Sequence, residues 1–519
     1  MRTHSLVSGC LPPISAIHPK SFAPTTLSRA PSAPSSNNER AVTVQFALLL
    51  SLASALAPEP CRRSQDGDAR AIVDRSIGVL GLASMGTGVR TSTVTDVLNM
   101  PYQSDRPYPP FLWATRDLRL ALEWGSGAQR SEQGTAPNTI AFVSDGTLRG
   151  VISPRAAIQV SQRQVGLLDE RAMDPWAVLA DWHQAADLRV VEECIFRDYW
   201  RTVLSRTTAE GMERLYVDPK TGYPIKLERR ESHYLWGDVL AEYLWSIWSP
   251  VKGSHALAPQ FAFRLVDGVP DEQRILEKYA TVPRDSVGAL SLPANATLVQ
   301  APPLPMPDTV RVASNTFLLV TRAYTNVVSL QGDTVYILDA QLGEERAKRD
   351  SAWIGKLFPG RHPLVLIVTD LAWPHIAGVR YWVSQGATVV SHSTSNAFLK
   401  RVLERKWTLQ PDVLEGRRSL VHFNFRPVGG SLSLAGGAIE LRAIDGVGSE
   451  GALIAFLPRE RFLYAGDYMQ GGGPDSFAAT YAREVVAATQ RAGFTPERFA
   501  AMHLPLNDWS SLPRFTGQP

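Results

Sequence analysis

The chain has 519 residues, of which 44% are hydrophobic and 20% are charged, a composition typical of globular proteins. This length predicts two or three domains of roughly 150 residues each. The formal net charge of +3 is carried by the N-terminal residues 1–57, where Arg2, Lys20, Arg29 and Arg40 outnumber Glu39. The remaining body is neutral, so electrostatics gives no reason to expect nucleic acid or anionic lipid as a partner.

The sequence of residues 1–57 predicts an N-terminal leader. Residues 1–38 are rich in serine, proline and alanine and lack periodicity, which predicts disorder. Residues 41–57 form an apolar run with small residues at Ala55 and Ala57, the pattern of a secretory cleavage site. The run is shorter than the roughly 20 apolar residues of a membrane span. We therefore expect residues 1–57 to be removed and the protein to be exported (periplasmic or secreted), with no integral membrane domain left. An uncleaved N-terminal membrane anchor is the alternative.

The chain contains three cysteines, Cys10, Cys61 and Cys194. None lies in a C-x-x-C pair, so the sequence contains no recognisable zinc ribbon or disulfide framework. Cys61 and Cys194 either form one disulfide in an oxidising compartment or stay free thiols. The sequence leaves both alternatives open.

Residues 58–300 are predicted to form an α+β domain. Helices are expected over residues 69–82 and 174–188, and Asp174 and Pro175 suit the cap and first turn of the second helix. Strands are expected at residues 139–144, 200–205 and 213–218, separated by turns such as Asp218-Pro-Lys-Thr-Gly222.

Residues 214–228 carry the most informative pattern of this half. A strand ends in Asp218-Pro-Lys-Thr-Gly222-Tyr-Pro and a second strand returns. This resembles a hairpin of periplasmic lipoprotein-carrier domains, and the resemblance implies a curved antiparallel sheet with helices on its concave side and an apolar or lipid ligand. The many tryptophans of this half, such as Trp176 and Trp182, would then line a cavity. Simple core packing is the alternative, and it is favoured because tryptophan is usually well buried.

Residues 301–309 are proline-rich and predict an extended linker. Beyond it, residues 310–519 show strand patterns at 310–313, 317–320, 326–330 and 334–339. An amphipathic helix follows at 344–358, and then a buried strand at 363–369. Helices on a largely buried sheet predict a layered α/β sandwich.

The buried strand runs into Thr369-Asp-Leu-Ala-Trp-Pro-His375. This segment resembles the Thr-His-x-His-x-Asp-His motif of the metallo-β-lactamase superfamily, which implies an αββα sandwich. Asp370 replaces the first histidine, Ala372 the second and Pro374 the aspartate, whereas His375 is retained.

Three later segments extend the resemblance. Gly448 falls where the family has a histidine in a glycine-rich turn. Phe462-Leu-Tyr-Ala-Gly-Asp467 matches the strand that ends in a metal-bridging aspartate, and Ala501-Met-His503 matches the final histidine. The pattern covers most of residues 310–512 in the same order.

The resemblance implies that one of the family's two metal positions is lost and that the other keeps His375, Asp467 and His503. Two imidazoles and one carboxylate suit Zn²⁺ or Fe²⁺. We therefore expect one zinc ion at most, or none. Asp370 is the candidate catalytic residue, as an auxiliary ligand or base, and His392 is expected on a nearby strand.

Two functions follow from these patterns. The first is an exported metal-dependent hydrolase of reduced activity, with at most one metal ion and a small-molecule substrate. The second is a non-catalytic binding or scaffold protein, a pseudoenzyme, whose N-terminal domain binds an apolar or lipid ligand. Convergence of the three metal-ligand candidates would favour the first function, and divergence the second.

Overall fold

A computed structural model gives the fold of the chain. It describes residues 60–63, 67–100, 112–134, 139–145, 149–153, 156–160, 170–208, 211–294, 296–298, 304–321, 324–446, 450–470 and 477–516. The predicted leader, residues 1–57, and Gly448 lie outside the described residues. None of the helices in the described ranges combines the length and apolar character needed to cross a bilayer.

The described residues of the first half of the chain form one 15-stranded sheet, whose strands run in the order β1-β8-β9-β10-β11-β12-β13-β14-β2-β3-β4-β5-β6-β7-β15. All neighbouring strands are antiparallel except β7 and β15. The strands are β1 (Cys61–Arg63), β2 (Val89–Met100), β3 (Leu112–Glu123), β4 (Gln129–Gln133), β5 (Ile140–Ser144), β6 (Arg149–Ser153), β7 (Ala156–Val160), β8 (Arg189–Phe196), β9 (Tyr199–Thr208), β10 (Gly211–Val217), β11 (Pro224–His233), β12 (Gly237–Pro250), β13 (Leu257–Val266), β14 (Val269–Val282) and β15 (Thr297–Leu298).

Two helices, α1 (Ala69–Val79) and α2 (Pro175–Gln184), pack on this sheet. As predicted, the carboxylate of Asp174 caps α2 by accepting from the backbone N–H of Trp176 at 3.0 Å. Trp176 and Trp182 are fully buried in the core cluster between the helices and the strands. These two tryptophans therefore serve as core residues, and ligand binding by the sheet stays a prediction.

The Asp218–Gly222 turn joins β10 and β11 as an antiparallel pair, as the hairpin pattern predicted. The carboxylate of Asp218 accepts from the backbone N–H groups of Lys220 at 2.8 Å and Thr221 at 3.0 Å. Gly222 has a φ of +80°, where a side chain would be strained. Local turn chemistry thus sets the hairpin register.

A disulfide joins Cys61 to Cys194. The two residues lie directly opposite each other on β1 and β8, so the bond attaches the first described strand to the edge of the sheet. Of the two alternatives left open by the sequence, the structure contains the bridge.

The second half forms two further sheets and seven helices within its described residues. The second sheet runs in sequence order, β16 (Asp308–Ala313), β17 (Thr316–Thr321), β18 (Tyr324–Gln331), β19 (Thr334–Leu338), β20 (Leu364–Ile367), β21 (Thr388–His392) and β22 (Phe425–Val428). The third sheet contains β23 (Ser431–Leu434), β24 (Ile439–Ala443), β25 (Leu453–Leu457), β26 (Phe462–Tyr464), β27 (Arg498–Ala501) and β28 (Leu504–Asp508). The helices are α3 (Glu344–Leu357), α4 (Trp373–Ile376), α5 (Val379–Ser384), α6 (Asn396–Glu404), α7 (Val413–Arg417), α8 (Phe477–Arg491) and α9 (Pro513–Thr516).

These elements stack in four layers. Apolar residues of α3, α5 and α6, including Ile354, Trp382 and Phe398, pack on one face of the second sheet. The other face of that sheet packs against the third sheet, whose far face is covered by α8. The order helix, sheet, sheet, helix is the layered α/β arrangement that the sequence patterns predict, whereas the predicted domain boundaries stay predictions.

A short segment of the first sheet contacts the second half of the chain. The Trp236 ring packs edge-on against Phe398 at 5.3 Å between ring centroids, and the backbone N–H of Asp238 donates to the Lys406 carbonyl at 2.7 Å. The carboxylate of Asp238 accepts from the backbone N–H groups of Thr408 at 2.9 Å and Leu409 at 3.0 Å. The β11–β12 hairpin therefore docks on the segment that follows α6.

Candidate metal centre

Three of the four predicted site residues follow the ends of strands, and the fourth, His375, lies in the short helix α4. Asp370 comes three residues after β20, Asp467 three residues after β26, and His503 lies in the tight turn between β27 and β28. Because β26 and β27 are parallel, their carboxyl ends lie at the same edge of the third sheet. The backbone N–H of Leu453 donates to the Thr369 carbonyl at 2.8 Å and joins the two sheets beside that edge.

The structure brings three of the predicted residues together. His375, Asp467 and His503 each offer one ligand atom, and these atoms all lie within 4.8 Å of one another. The Oδ1 atom of Asp467 is 3.7 Å from Nε2 of His375 and 3.2 Å from Nε2 of His503. His375 is buried, whereas about a quarter of the Asp467 and His503 side chains is exposed (26% and 25%). The cluster is therefore open to solvent on one side.

Asp370 lies behind His375. Its Oδ1 atom is 2.6 Å from Nδ1 of His375, and it also accepts from the backbone N–H of Ala372 at 2.8 Å. Asp370 is not one of the three clustered donors. The carboxylate thus contacts the opposite edge of the imidazole from the one that faces Asp467.

A buried hydrogen-bond network lies beneath the site. The carboxylate of Asp339 accepts from the backbone N–H of Thr369 at 2.8 Å, from its hydroxyl at 2.7 Å, and from the Tyr464 hydroxyl at 3.0 Å. Asp339 has a φ of +66°, an unfavourable conformation for a residue with a side chain. The three hydrogen bonds offset that cost and fix the strand end from which Asp370 follows.

Gly466 positions Asp467. Its φ is +57°, and a Cβ atom added there would lie 2.5 Å from the Thr369 hydroxyl oxygen. Only glycine permits this approach, because both the backbone conformation and the space exclude a side chain. The close contact brings the third sheet's strand end against the second sheet's strand end.

Two residues outside the predicted motifs also contact the cluster. The Gln470 side-chain amide donates to Oδ1 of Asp467 at 2.7 Å, and the Tyr324 ring packs edge-on against the His503 ring at 4.8 Å between centroids. Neither residue belongs to a motif, so nothing in the sequence pattern marked them.

The carboxylates and imidazoles of the cluster shift one another's pKa values. Burial alone would lower the pKa of His375, but the carboxylates of Asp370 and Asp467 outweigh burial and raise the pKa to about 9. Burial would raise the pKa of Asp467, but the imidazoles of His375 and His503 hold that pKa below its usual value. His375 therefore takes up a proton more readily than an exposed histidine does, and that proton must leave when a metal ion binds.

Burial and the neighbouring Asp370 carboxylate raise the pKa of Asp339, in the network beneath the cluster, to about 7. Asp339 therefore keeps a proton more readily than an exposed aspartate.

The residues at the other metal position that the sequence resemblance implied do not form a cluster of donors. Ala372 offers no donor atom, and Gly448 lies outside the described residues. His392 ends β21 as expected, and its Nδ1 atom contacts the Thr394 hydroxyl at 2.7 Å. Among the described residues, His392 does not join the group of clustered ligand atoms.

The separations of Asp467 from the two histidines fit one ion. A tetrahedral zinc site with bonds of about 2.1 Å separates its donor atoms by roughly 3.4 Å. The Asp467 oxygen lies 3.7 Å and 3.2 Å from the two histidine nitrogens, which brackets that separation. Two nitrogen donors and one oxygen donor are also a set that zinc accepts in open sites. The residues therefore fit a single divalent metal ion.

No family model matches the chain, and no curated protein matches it. The DIM-1 metallo-β-lactamase structure is 16% identical, with 41% of this chain and 97% of that chain covered and a TM-score of 0.33. A metallo-β-lactamase structure from Erythrobacter litoralis is 14% identical over 41% of this chain and 95% of that chain, with a TM-score of 0.31. The mono-zinc form of FIM-1 from Pseudomonas aeruginosa is 11% identical over 42% and 96%, with a TM-score of 0.33. TM-scores this low support no statement about this chain. The layered fold is assigned from the sheets and helices of the chain itself.

Proposed function

We propose that residues 310–519 form an exported, hydrolase-like unit that binds one divalent metal ion through His375, Asp467 and His503. The observation that carries the proposal is the approach of these three ligand atoms to within 4.8 Å of one another. They lie far apart in the chain, and each follows a different strand. Convergence of three good donors on one solvent-open point is what a binding site requires.

Each residue has a distinct part. His375 and His503 supply the nitrogen donors, and Asp467 supplies a negative charge that offsets the charge of the ion. Gln470 holds the Asp467 carboxylate through its 2.7 Å hydrogen bond. The edge-on Tyr324 ring restricts rotation of the His503 ring. These contacts order the donor set before any ion binds, which lowers the entropic cost of binding.

The chemistry proposed for the site is hydrolysis of a small carbonyl substrate. A divalent ion bound there would act as a Lewis acid that polarises the carbonyl group. The chain supplies little further assistance, because Ala372 and Pro374 replace a ligand and a carboxylate of the family motif. We therefore propose an activity well below that of an enzyme with a complete two-metal site.

The proposal includes export. The Cys61–Cys194 disulfide supports it, because disulfides persist mainly in oxidising compartments. The apolar run at residues 41–57 in the sequence supports it as well. Mass spectrometry of the mature N-terminus tests this part, and a protein that starts at Met1 in the cell fraction would contradict it.

The activity is tested with the full chain, stripped of metal and supplied with one equivalent of zinc. Chromogenic ester, thioester and β-lactam substrates are assayed with the wild type and with His503→Ala. We expect at least one substrate class to be hydrolysed slowly by the wild type and not by the variant. A rate that is equal in both proteins would show that the cluster is not the active site.

His392→Ala is the matched control. His392 also lies at a strand end, but it is outside the clustered donors, so the control should keep both zinc binding and turnover. Zinc binding by the wild type without turnover of any substrate would contradict the hydrolase proposal and favour the binding or scaffold alternative.

A further inference from the structure

Asp370 occupies the place of a metal-binding histidine in the family motif, but its surroundings in this chain are different. Oδ1 of Asp370 lies 2.6 Å from Nδ1 of His375 and accepts the backbone N–H of Ala372 at 2.8 Å. Its other oxygen lies 3.5 Å from the Thr369 hydroxyl. The side chain is buried, with 5% of the residue exposed. The carboxylate is thus held in place from two sides and directed at His375.

The two edges of the His375 ring have different partners. Nδ1 faces Asp370, whereas Nε2 faces Oδ1 of Asp467 at 3.7 Å. A histidine that binds a metal is neutral: it carries its proton on one nitrogen only, and the other nitrogen has the lone pair that binds the ion. A carboxylate at Nδ1 keeps the proton there, so the lone pair lies on Nε2, towards the clustered donors.

We propose that Asp370 is a positioning residue: it fixes the ring orientation and the tautomer of His375 and so makes Nε2 a stronger metal ligand. The replacement of a histidine by Asp370 would then convert a metal ligand into the support of the neighbouring ligand. This inference rests on the proposed metal site, and it replaces the expected role of Asp370 as an auxiliary ligand or base.

The test measures zinc affinity by competition with a chromogenic chelator, using the full chain and three forms of residue 370. Asp370→Asn keeps the shape and an acceptor oxygen but removes the charge, and Asp370→Ala removes the acceptor. We expect affinity to fall in the order wild type, Asn, Ala, with a total loss of roughly 10–100-fold, while the stoichiometry stays at one ion.

Cobalt distinguishes a residue that supports a ligand from a residue that is itself a ligand. The visible spectrum of Co²⁺ in the site depends on the number and type of its ligand atoms, and a supporting residue leaves both unchanged. We expect the Asn and wild-type spectra to agree in band position and intensity. A changed spectrum would show that Asp370 is itself a ligand, and equal zinc affinities in all three proteins would show that it gives His375 no support. Either result overturns the inference.

A second readout works without metal. The chain has 10 histidines, so labelling of histidine nitrogens gives a resolvable set of imidazole signals, and His375→Gln identifies the relevant one. We expect a strongly hydrogen-bonded Nδ1 proton on His375 in the wild type, weakened in the Asn variant and absent in the Ala variant. Absence of this signal in the wild type would overturn the inference. Its presence in a wild type that binds no zinc would contradict the metal site and leave the Asp370–His375 contact established.

Discussion

Replacing Gly237 by alanine is expected to separate the first sheet from the second half of the chain. Gly237 begins β12 with a φ of +64°, and a Cβ atom there would lie 2.2 Å from the Lys406 carbonyl oxygen and 2.4 Å from the Trp407 ring. The carbonyl belongs to the backbone, so it cannot rotate away as the end of a side chain would. The segment after α6 must therefore shift, and the 2.7 Å hydrogen bond from Asp238 to Lys406 is lost.

The size of the effect has two parts. An alanine in the left-handed region costs about 1–2 kcal/mol, and overpacking adds about 1–3 kcal/mol. Gly268 separates the two parts, because it has a φ of +77° in the β13–β14 turn and nothing within 4 Å of an added Cβ. Gly268→Ala should show only the backbone cost, whereas Gly237→Ala should lose a further 1–3 kcal/mol or so of stability.

Urea unfolding of both variants, followed by tryptophan fluorescence, measures this difference. Trp236 and Trp407 lie on the two sides of the contact, so its separation changes their part of the summed emission of the chain's 13 tryptophans. A separate early transition in Gly237→Ala would show that the two halves no longer unfold together. If Gly237→Ala and Gly268→Ala lost the same stability within about 0.5 kcal/mol, the contact would contribute nothing and the reasoning would be refuted.

Three further predictions concern single sites. Burial and neighbouring arginines lower the pKa of His233 to about 3, so the unfolded chain binds a proton below pH 6.5 that the folded chain does not. Stability should fall as the pH drops from 6.5 towards 3, by about 2 kcal/mol at pH 5 for this residue. His233→Asn should show a smaller loss between pH 7.5 and 5 in urea unfolding, and an unchanged pH dependence would contradict the assignment. The disulfide closes a loop across a separation of 133 residues, so replacing Cys61 and Cys194 by serine should cost about 4–5 kcal/mol by the chain-entropy model; an unfolding midpoint equal to that of the wild type would count against the bond. Gly466→Ala should abolish zinc binding, because its Cβ would displace Thr369, and full zinc affinity in that variant would show that the strand ends can separate freely.

Local patterns predicted the local structure well. Asp174 caps its helix, and the Asp218–Gly222 turn closes its hairpin, because the interactions that form these features span only a few residues. The first helix ends at Val79 rather than at the predicted residue 82. Gly81 explains the difference, since its φ of +64° is incompatible with a continuing helix.

The site was predictable only in part, for a physical reason. The family pattern identified His375, Asp467 and His503, and the structure places their ligand atoms within 4.8 Å of one another; their role in metal binding stays a proposal. The pattern could not predict where the Asp370 side chain points. A rotation of its carboxylate decides whether it would contact a bound metal ion or the His375 ring. Gln470 was also missed, because its contact with Asp467 depends on how the chain turns after β26.

The central claim is tested most directly by counting metal ions. The full chain is expressed with zinc in the medium, purified without chelator, and analysed by inductively coupled plasma mass spectrometry beside a His375→Ala/His503→Ala double variant. One metal ion per wild-type chain and none in the double variant is the predicted result. A wild type that carries no metal, or the same metal content in both proteins, would contradict the proposed centre.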